Sequence, residues 1–293
     1  MANEFDEIML SNPSRSRKGR STPELVPLDL TRSSRTSTHI DSVDVTRNRS
    51  DIVLSPNNSS LLSGLVEEFQ KAESFRRHGL PIRNKLLFCG PPGCGKTLCA
   101  EVIANEVGLD LTVIRLDSLI SSFLGETATN LRAVIEAAER KPTVLFFDEF
   151  DAIARARADS DGHGELRRVV NTLLLLMQSF QGPGILIAAT NLENTIDSAL
   201  WRRFDEVLLF EHPTAKQINE YLKFKTRNFK PSFSLTPMGA KLKGFSYAEI
   251  ERLCIQSMKY AISGRRKTIS KNDFEQAFKE EKRRQSIRKR IAR

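Results

Sequence analysis

Between Gly90 and Thr97 the chain reads Gly-Pro-Pro-Gly-Cys-Gly-Lys-Thr. Glycines at this density let the backbone turn tightly, so that its N–H groups converge on an anion without side chains in the way. A lysine and a hydroxyl at the end of such a turn suit a polyphosphate and its metal: Lys96 reaches the β- and γ-phosphates, Thr97 ligates Mg²⁺, and the helix that begins there sets its N-terminal dipole against the negative charge. The pattern G-x-x-x-x-G-K-[ST] has meaning when a strand leads in and a helix leads out. Here the apolar run 85–89 precedes it and the helical spacing of 96–107 follows it. Gly90, Pro91, Pro92, Gly93, Cys94, Gly95, Lys96, Thr97 and Leu98 are therefore the candidate nucleotide-binding residues, with ATP and Mg²⁺ the expected ligands. Cys94 fills a position that the pattern leaves open and reads as a spacer.

About fifty residues further on, Val144-Leu145-Phe146-Phe147-Asp148-Glu149 is an apolar run that ends in two acids. In a parallel sheet such an ending places carboxylates at the C-terminal edge of a buried strand, where ligands bind. Asp148 is the expected partner of Mg²⁺, and Glu149 the base that orients and activates the attacking water. A second buried run, 185–190, ends at Asn191. Its amide suits a hydrogen bond to the attacking water or the γ-phosphate, and Asn is also a favoured helix N-cap.

These groups need elements to carry them. From about Asp51 onward, short β-branched or apolar runs alternate with helical stretches, the mark of βαβ units and a parallel sheet. The spacing predicts strands at 85–89, 111–115, 143–147, 185–190 and 206–210, with helices at 96–107, 127–139 and 165–180. After Pro213 the strands stop. Helices follow, among them 247–263 and a last one opened by Ser270 with Asp273 three residues on, a capping-box pattern. The expected fold is α/β: a three-layer αβα P-loop domain over 51–211 with a five-stranded parallel sheet, then a small all-helical lid over 212–293. Residues 1–50 are dense in Ser, Thr, Arg and Pro and read as a mostly disordered arm.

Composition narrows the function classes. The 293 residues, 40% of them hydrophobic, suffice for one large core and a second smaller one. The opening MANEFDEIML carries acids where a signal peptide needs basic residues, and no apolar run approaches the ~20 residues that span a bilayer, so a cytoplasmic protein without a membrane partner is expected. Four cysteines and four histidines lie scattered without zinc spacing. The net charge of +9 is concentrated: residues 264–293 hold 12 Lys and Arg against 4 Asp and Glu. That is a basic helical end, most simply a solvated face, rather than a basic domain.

GPPGCGKT, LFFDEFDAI, AATN and DSALWRRFDE occur in the order and spacing of the AAA branch of the AAA+ ATPases, and the resemblance covers about 51–270. It implies that 90–97 is Walker A, that Asp148 and Glu149 are Walker B, and that Asn191 is sensor 1. Arg202 and Arg203 resemble the arginine fingers that project into a neighbouring subunit's ATP site, which implies a homo-oligomeric ring, a hexamer by family likeness. A guanidinium fork matches transferring phosphoryl oxygens, in keeping with that role. Where the family often has R-x-G-R-F-D, this chain has the contracted Trp201-Arg202-Arg203-Phe204-Asp205, which leaves open which arginine is the principal finger. Gly244-Phe245-Ser246-Tyr247-Ala248-Glu249 resembles the GFSGAD stretch at the sensor 2 position, with Tyr247 in place of a glycine. Val53 falls in the segment that runs past adenine in the family.

Ser121-Ser122-Phe123-Leu124-Gly125-Glu126-Thr127 resembles the first pore loop of peptide-threading members, with Phe123, Leu124 and Gly125 as the client-gripping triplet. An aromatic beside an aliphatic grips an extended chain by packing, whatever its sequence. The second pore loop is expected within 155–164. The implied work is ATP-driven remodelling or threading of a protein client. Two rivals share the fold: a nucleic-acid loader or motor, and a regulatory ATPase serving a separately encoded enzyme such as a protease.

Overall fold

The computed structural model describes residues 40–116, 124–152, 164–191 and 201–291. Six strands form one sheet: β1 (Ile40–Val43), β2 (Lys85–Cys89), β3 (Asp110–Arg115), β4 (Thr143–Asp148), β5 (Ile185–Thr190) and β6 (Glu206–Leu209), in the spatial order β1-β3-β4-β5-β2-β6. All neighbours are parallel except β1, which runs antiparallel to β3. From β2 the chain crosses to β3 at the far side and works back through β4 and β5. The C-terminal ends of β4, β5 and β2 therefore lie side by side, at the switch in strand order where α/β sheets bind ligands.

The inner strands bury both faces, which is why they read as unbroken apolar runs rather than alternating ones. Leu87, Leu145, Phe147, Leu186 and Ala188 point to one side and meet α4 (Leu124–Arg140) and α5 (Gly164–Ser179) through Leu131, Ile135, Val170 and Leu173. Leu86, Phe88, Phe146, Ile187 and Ala189 point to the other side and meet α1 (Pro56–Gln70) and α3 (Lys96–Val107) through Leu62, Leu65, Ala100 and Ile103. A short α2 (Ala72–Arg77) follows α1. Each large side chain fully removed from water here contributes about 1.5–3 kcal/mol, so the strand ends that carry the polar residues stand on a rigid base.

The sheet has six strands where the sequence predicts five. The additional strand, Ile40–Val43, lies in the stretch expected to be arm; four residues are too few for a periodic signal, and β1 exists by pairing with the edge of β3. Just beyond it, Arg49 donates to Ser59 O at 2.7 Å and to Ser59 Oγ at 2.8 Å, which ties the lead-in segment to α1.

The C-terminal helices are α6 (Ala215–Lys225), α7 (Met238–Lys241), α8 (Tyr247–Ser263) and α9 (Lys271–Ile291). They enclose a third core that includes Leu222, Leu253, Phe274 and Phe278. Capping boxes start α6, with Thr214 and Gln217, and α8, with Ser246 and Glu249. At α9 the expected pair meets as well: Ser270 N donates to Asp273 Oδ2 at 2.8 Å, and Asp273 N donates to Ser270 Oγ at 3.3 Å. Asp273 also pairs with Arg266. Two ion pairs join α8 to α9: Arg252 of α8 meets the buried Glu281 at 2.6 Å, and Arg288 of the basic face of α9 meets Glu249 at 3.3 Å.

Candidate nucleotide site

The loop after β2 closes against two other parts of the chain. Gly90 N donates to Thr190 O at 3.3 Å, and a Cβ on Gly90 would lie 1.9 Å from Phe210 O, so only glycine fits where β6 ends. Gly93 has φ +75°, and a Cβ there would come within 2.9 Å of Ala248 Cβ and 3.0 Å of Ser246 Oγ. Ala248 N donates to Gly93 O at 3.1 Å. The loop is thereby fixed to the first turn of α8, more than 150 residues later in the chain.

Lys96 opens α3 and is 7% exposed. Its ammonium donates to Gly90 O at 2.5 Å, Pro91 O at 3.1 Å and Asn191 Oδ1 at 2.8 Å, which accounts for all three of its protons. Burial lowers its pKa from the ordinary lysine value, with nearby Cys94 and Asp148 opposing the shift. Cys94 is buried and its thiol is pushed up to about 11, so it is an inert spacer rather than a nucleophile.

Asp148 Oδ1 accepts from Glu149 N at 2.9 Å. Glu149 has φ +55°, in the left-handed region that side chains other than Asn, Asp and Gly rarely occupy. Phe150 N donates to Ala189 O at 2.8 Å and the Phe150 ring is buried, so the surrounding backbone imposes this conformation and turns the acid out to solvent-exposed space.

Gly93, Lys96, Thr97, Asp148, Glu149 and Asn191 share one cavity of about 380 Å³. The helices α6 and α8 add Tyr221, Tyr247 and Glu251 to its lining. A second cavity of about 340 Å³ also reaches Thr97, Asp148 and Glu149, and brings in Asp41 of β1 and Arg115 of β3. Arg115 stands in register with Asp148 and pairs with Asp41 at 3.7 Å. Among the described residues no arginine lines the larger cavity.

The two arginines after 200 differ. Arg203 is half-buried and donates to Leu174 O at 3.0 Å and Gln178 Oε1 at 2.9 Å, both on α5. Arg202 is exposed. Phe204 packs edge-on against Phe150 at 6.0 Å, and Asp205 accepts from Asn84 N at 3.0 Å and Lys85 N at 2.9 Å, so the segment is anchored just after the arginines.

Phe123 lies outside the described residues, as does the expected second pore loop apart from its last residue; Leu124 and Gly125 open α4. Val53 packs against the C-terminal helical core. The sequence pointed to the phosphate side of the larger cavity but not to Tyr221 or Glu251, nor to Arg115 and Asp41 beside the acids. A helical period with acids on it gave no sign that α6 and α8 turn these residues toward the loop.

The family profile described as "ATPase family associated with various cellular activities (AAA)" matches residues 86–212, from β2 to just past β6. An uncharacterized AAA family ATPase of Sinorhizobium fredii, y4kL, is 53% identical over 253 residues, which is 86% of this chain and 77% of the relative. The chain belongs to the AAA family of ATPases. The ATP-dependent zinc metalloprotease FtsH of Halothermothrix orenii is 32% identical over 74% of this AAA ATPase, and Protein SAV of Sulfolobus acidocaldarius is 36% identical over 65%. This AAA chain spans 36% and 25% of the length of those two relatives.

The oxygen donors suit a hard divalent ion. The Thr97 hydroxyl and the Asp148 carboxylate border one cavity, oxygen donors of the kind that Mg²⁺ takes. No helix among the described residues is long and apolar enough to cross a membrane.

Proposed function

We propose that this AAA ATPase hydrolyses Mg-ATP in a ring of its own copies and uses the cycle to remodel or thread a protein client. The observation that carries the reading is the meeting of Lys96, Thr97, Asp148, Glu149 and Asn191 on one cavity at the C-terminal edge of the sheet. Lys96 exchanges its carbonyl partners for β- and γ-phosphate oxygens and holds the charge that builds up on transfer. Thr97 and Asp148 would hold Mg²⁺, which would supply positive charge to the phosphates. Glu149 takes the proton of the attacking water, and Asn191, already hydrogen-bonded to Lys96, orients the γ-phosphate and that water.

A phosphoryl-transfer site gains from an arginine on the γ-phosphate, and the larger cavity has none of its own among the described residues. Arg202, exposed on an anchored segment, is the finger offered to the next subunit; Arg203 positions that segment through α5. The C-terminal helices form the lid. Phe123, Leu124 and Gly125 grip the client. The FtsH relative is named as an ATP-dependent protease, which favours a polypeptide over a nucleic acid.

Mixed rings test the reading. Lys96→Ala subunits and Arg202→Ala subunits, each inactive alone, regain turnover when mixed, because some interfaces then pair an intact loop with an intact finger. Failure to recover, with a wild-type monomer fully active at any dilution, refutes the shared site. Stimulation of turnover by unfolded protein, lost in Phe123→Ala while basal turnover stays, supports the client class. Stimulation by DNA or RNA alone, weakening steeply with salt, replaces it with the nucleic-acid reading.

A further inference from the structure

We infer that Glu251 is the residue with which this chain recognises the nucleoside end of its nucleotide, accepting a hydrogen bond from a donor on the sugar or base. The inference rests on the reading of the 380 Å³ cavity as the ATP site. A ligand held by its phosphates among Gly93, Lys96 and Thr97 leaves its remainder to the rest of the lining, which includes Tyr221, Tyr247 and Glu251. Two tyrosine rings, packed edge-on with centroids 4.9 Å apart, supply an apolar wall suited to a flat base.

Glu251 is built into this wall rather than loosely attached to it. Lys225 Nζ donates to Oε1 at 2.5 Å, and that ammonium lies 5.3 Å from the centroid of the Tyr221 ring and 5.5 Å from that of Phe224, which holds the carboxylate in place. Oε2 receives only a long contact, 3.5 Å, from the Tyr221 hydroxyl. One carboxylate oxygen thus keeps lone pairs for a donor in the cavity. The Tyr247 ring closes the same wall, with its hydroxyl buried and without a hydrogen-bond partner. Ribose hydroxyls and the adenine 6-amino group are the donors a nucleoside brings, and an anchored acid that accepts from ribose is a known solution in other nucleotide-binding folds.

The test is equilibrium binding of ATP, 2′-deoxy-ATP and purine riboside triphosphate, which lacks the 6-amino group, to full-length protein carrying Glu149→Gln to suppress turnover. Glu251→Gln and Glu251→Ala are compared in that background, with thermal melting to show that each is folded. One lost hydrogen bond to a charged acceptor corresponds to about tenfold or more in affinity. We expect ATP to exceed one analogue by about that factor, and Glu251→Ala to reduce the ratio to within about twofold. Discrimination against 2′-deoxy-ATP assigns the sugar as donor, and discrimination against the other analogue assigns the base. Equal binding of all three by the parent, or a ratio untouched in both Glu251 variants, overturns the inference. A Lys96→Ala protein that binds ATP as the parent does refutes the cavity itself, a separate result.

Discussion

The proposed nucleotide cavity is lined by two different kinds of material. At the phosphate end the groups that matter are backbone amides, a lysine, a hydroxyl and two acids, set within short contiguous motifs at strand ends. At the nucleoside end they are side chains of two helices separated by loops and by α7, and each is held by another side chain: Glu251 by Lys225, Tyr221 by Tyr247. Phosphate is the same in every nucleotide, so its cradle can be built from backbone and is tightly constrained. The nucleoside differs between nucleotides, and recognising it falls to side chains.

The largest effects should come from the phosphate end. Lys96→Ala is expected to remove nucleotide binding, whereas Glu149→Gln keeps affinity within a few-fold and lowers turnover by about 10²–10⁴, because one residue holds phosphate and the other acts on water. Binding and phosphate release measured side by side separate the two, and wild-type turnover in Glu149→Gln would remove the base assignment. Gly93→Ala acts at the seam between the ends. The positive φ costs about 1–2 kcal/mol, and the contact with Ala248 adds to it, so denaturant unfolding should show a loss of that size or more. An unchanged midpoint would mean that loop and α8 are not locked together.

Effects at the nucleoside end are smaller and one of them has the opposite sign. Tyr247→Phe removes a buried hydroxyl without a partner, so the nucleotide-free protein should gain up to about 1 kcal/mol in stability. A clear loss would show that the hydroxyl already contributes. Furthest from the phosphates, the Arg266 guanidinium holds the Asp273 carboxyl at about 2, below its ordinary 3.8. The folded pKa is depressed, so this contribution is complete above about pH 4 and is lost as pH falls through about 2. Asp273→Asn should cost about 1 kcal/mol at neutral pH, where a cap is lost. Its melting temperature should converge on that of the parent between pH 4 and 2; parallel curves would contradict the assignment.

Much of the phosphate end was legible because the chemistry needs fixed residue types at fixed spacing. The loop at 90–97, the acids at 148–149 and Asn191 are each preceded by an apolar run long enough to identify. Five strands could be placed for the same reason, while β1 could not, since four residues owe their conformation to the edge of β3. Glu251 and Lys225 were illegible because a helix surface carries many acids and lysines, and only packing shows which pair borders a cavity. The two arginines at 202 and 203 are chemically identical in the sequence; the hydrogen bonds of Arg203 to α5 tell them apart.

The backbone at Glu149 sets chemistry and durability against each other. Glycine or asparagine at this position would relieve the left-handed strain, a gain of up to about 1 kcal/mol, while removing the proton acceptor. Selection for heat resistance alone would therefore drift toward a sturdier protein that binds ATP and cannot turn it over. With Glu149 as the proposed base, a chain of this type with Gly or Asn there would be recognisable, from one position, as a nucleotide-gated scaffold rather than an engine.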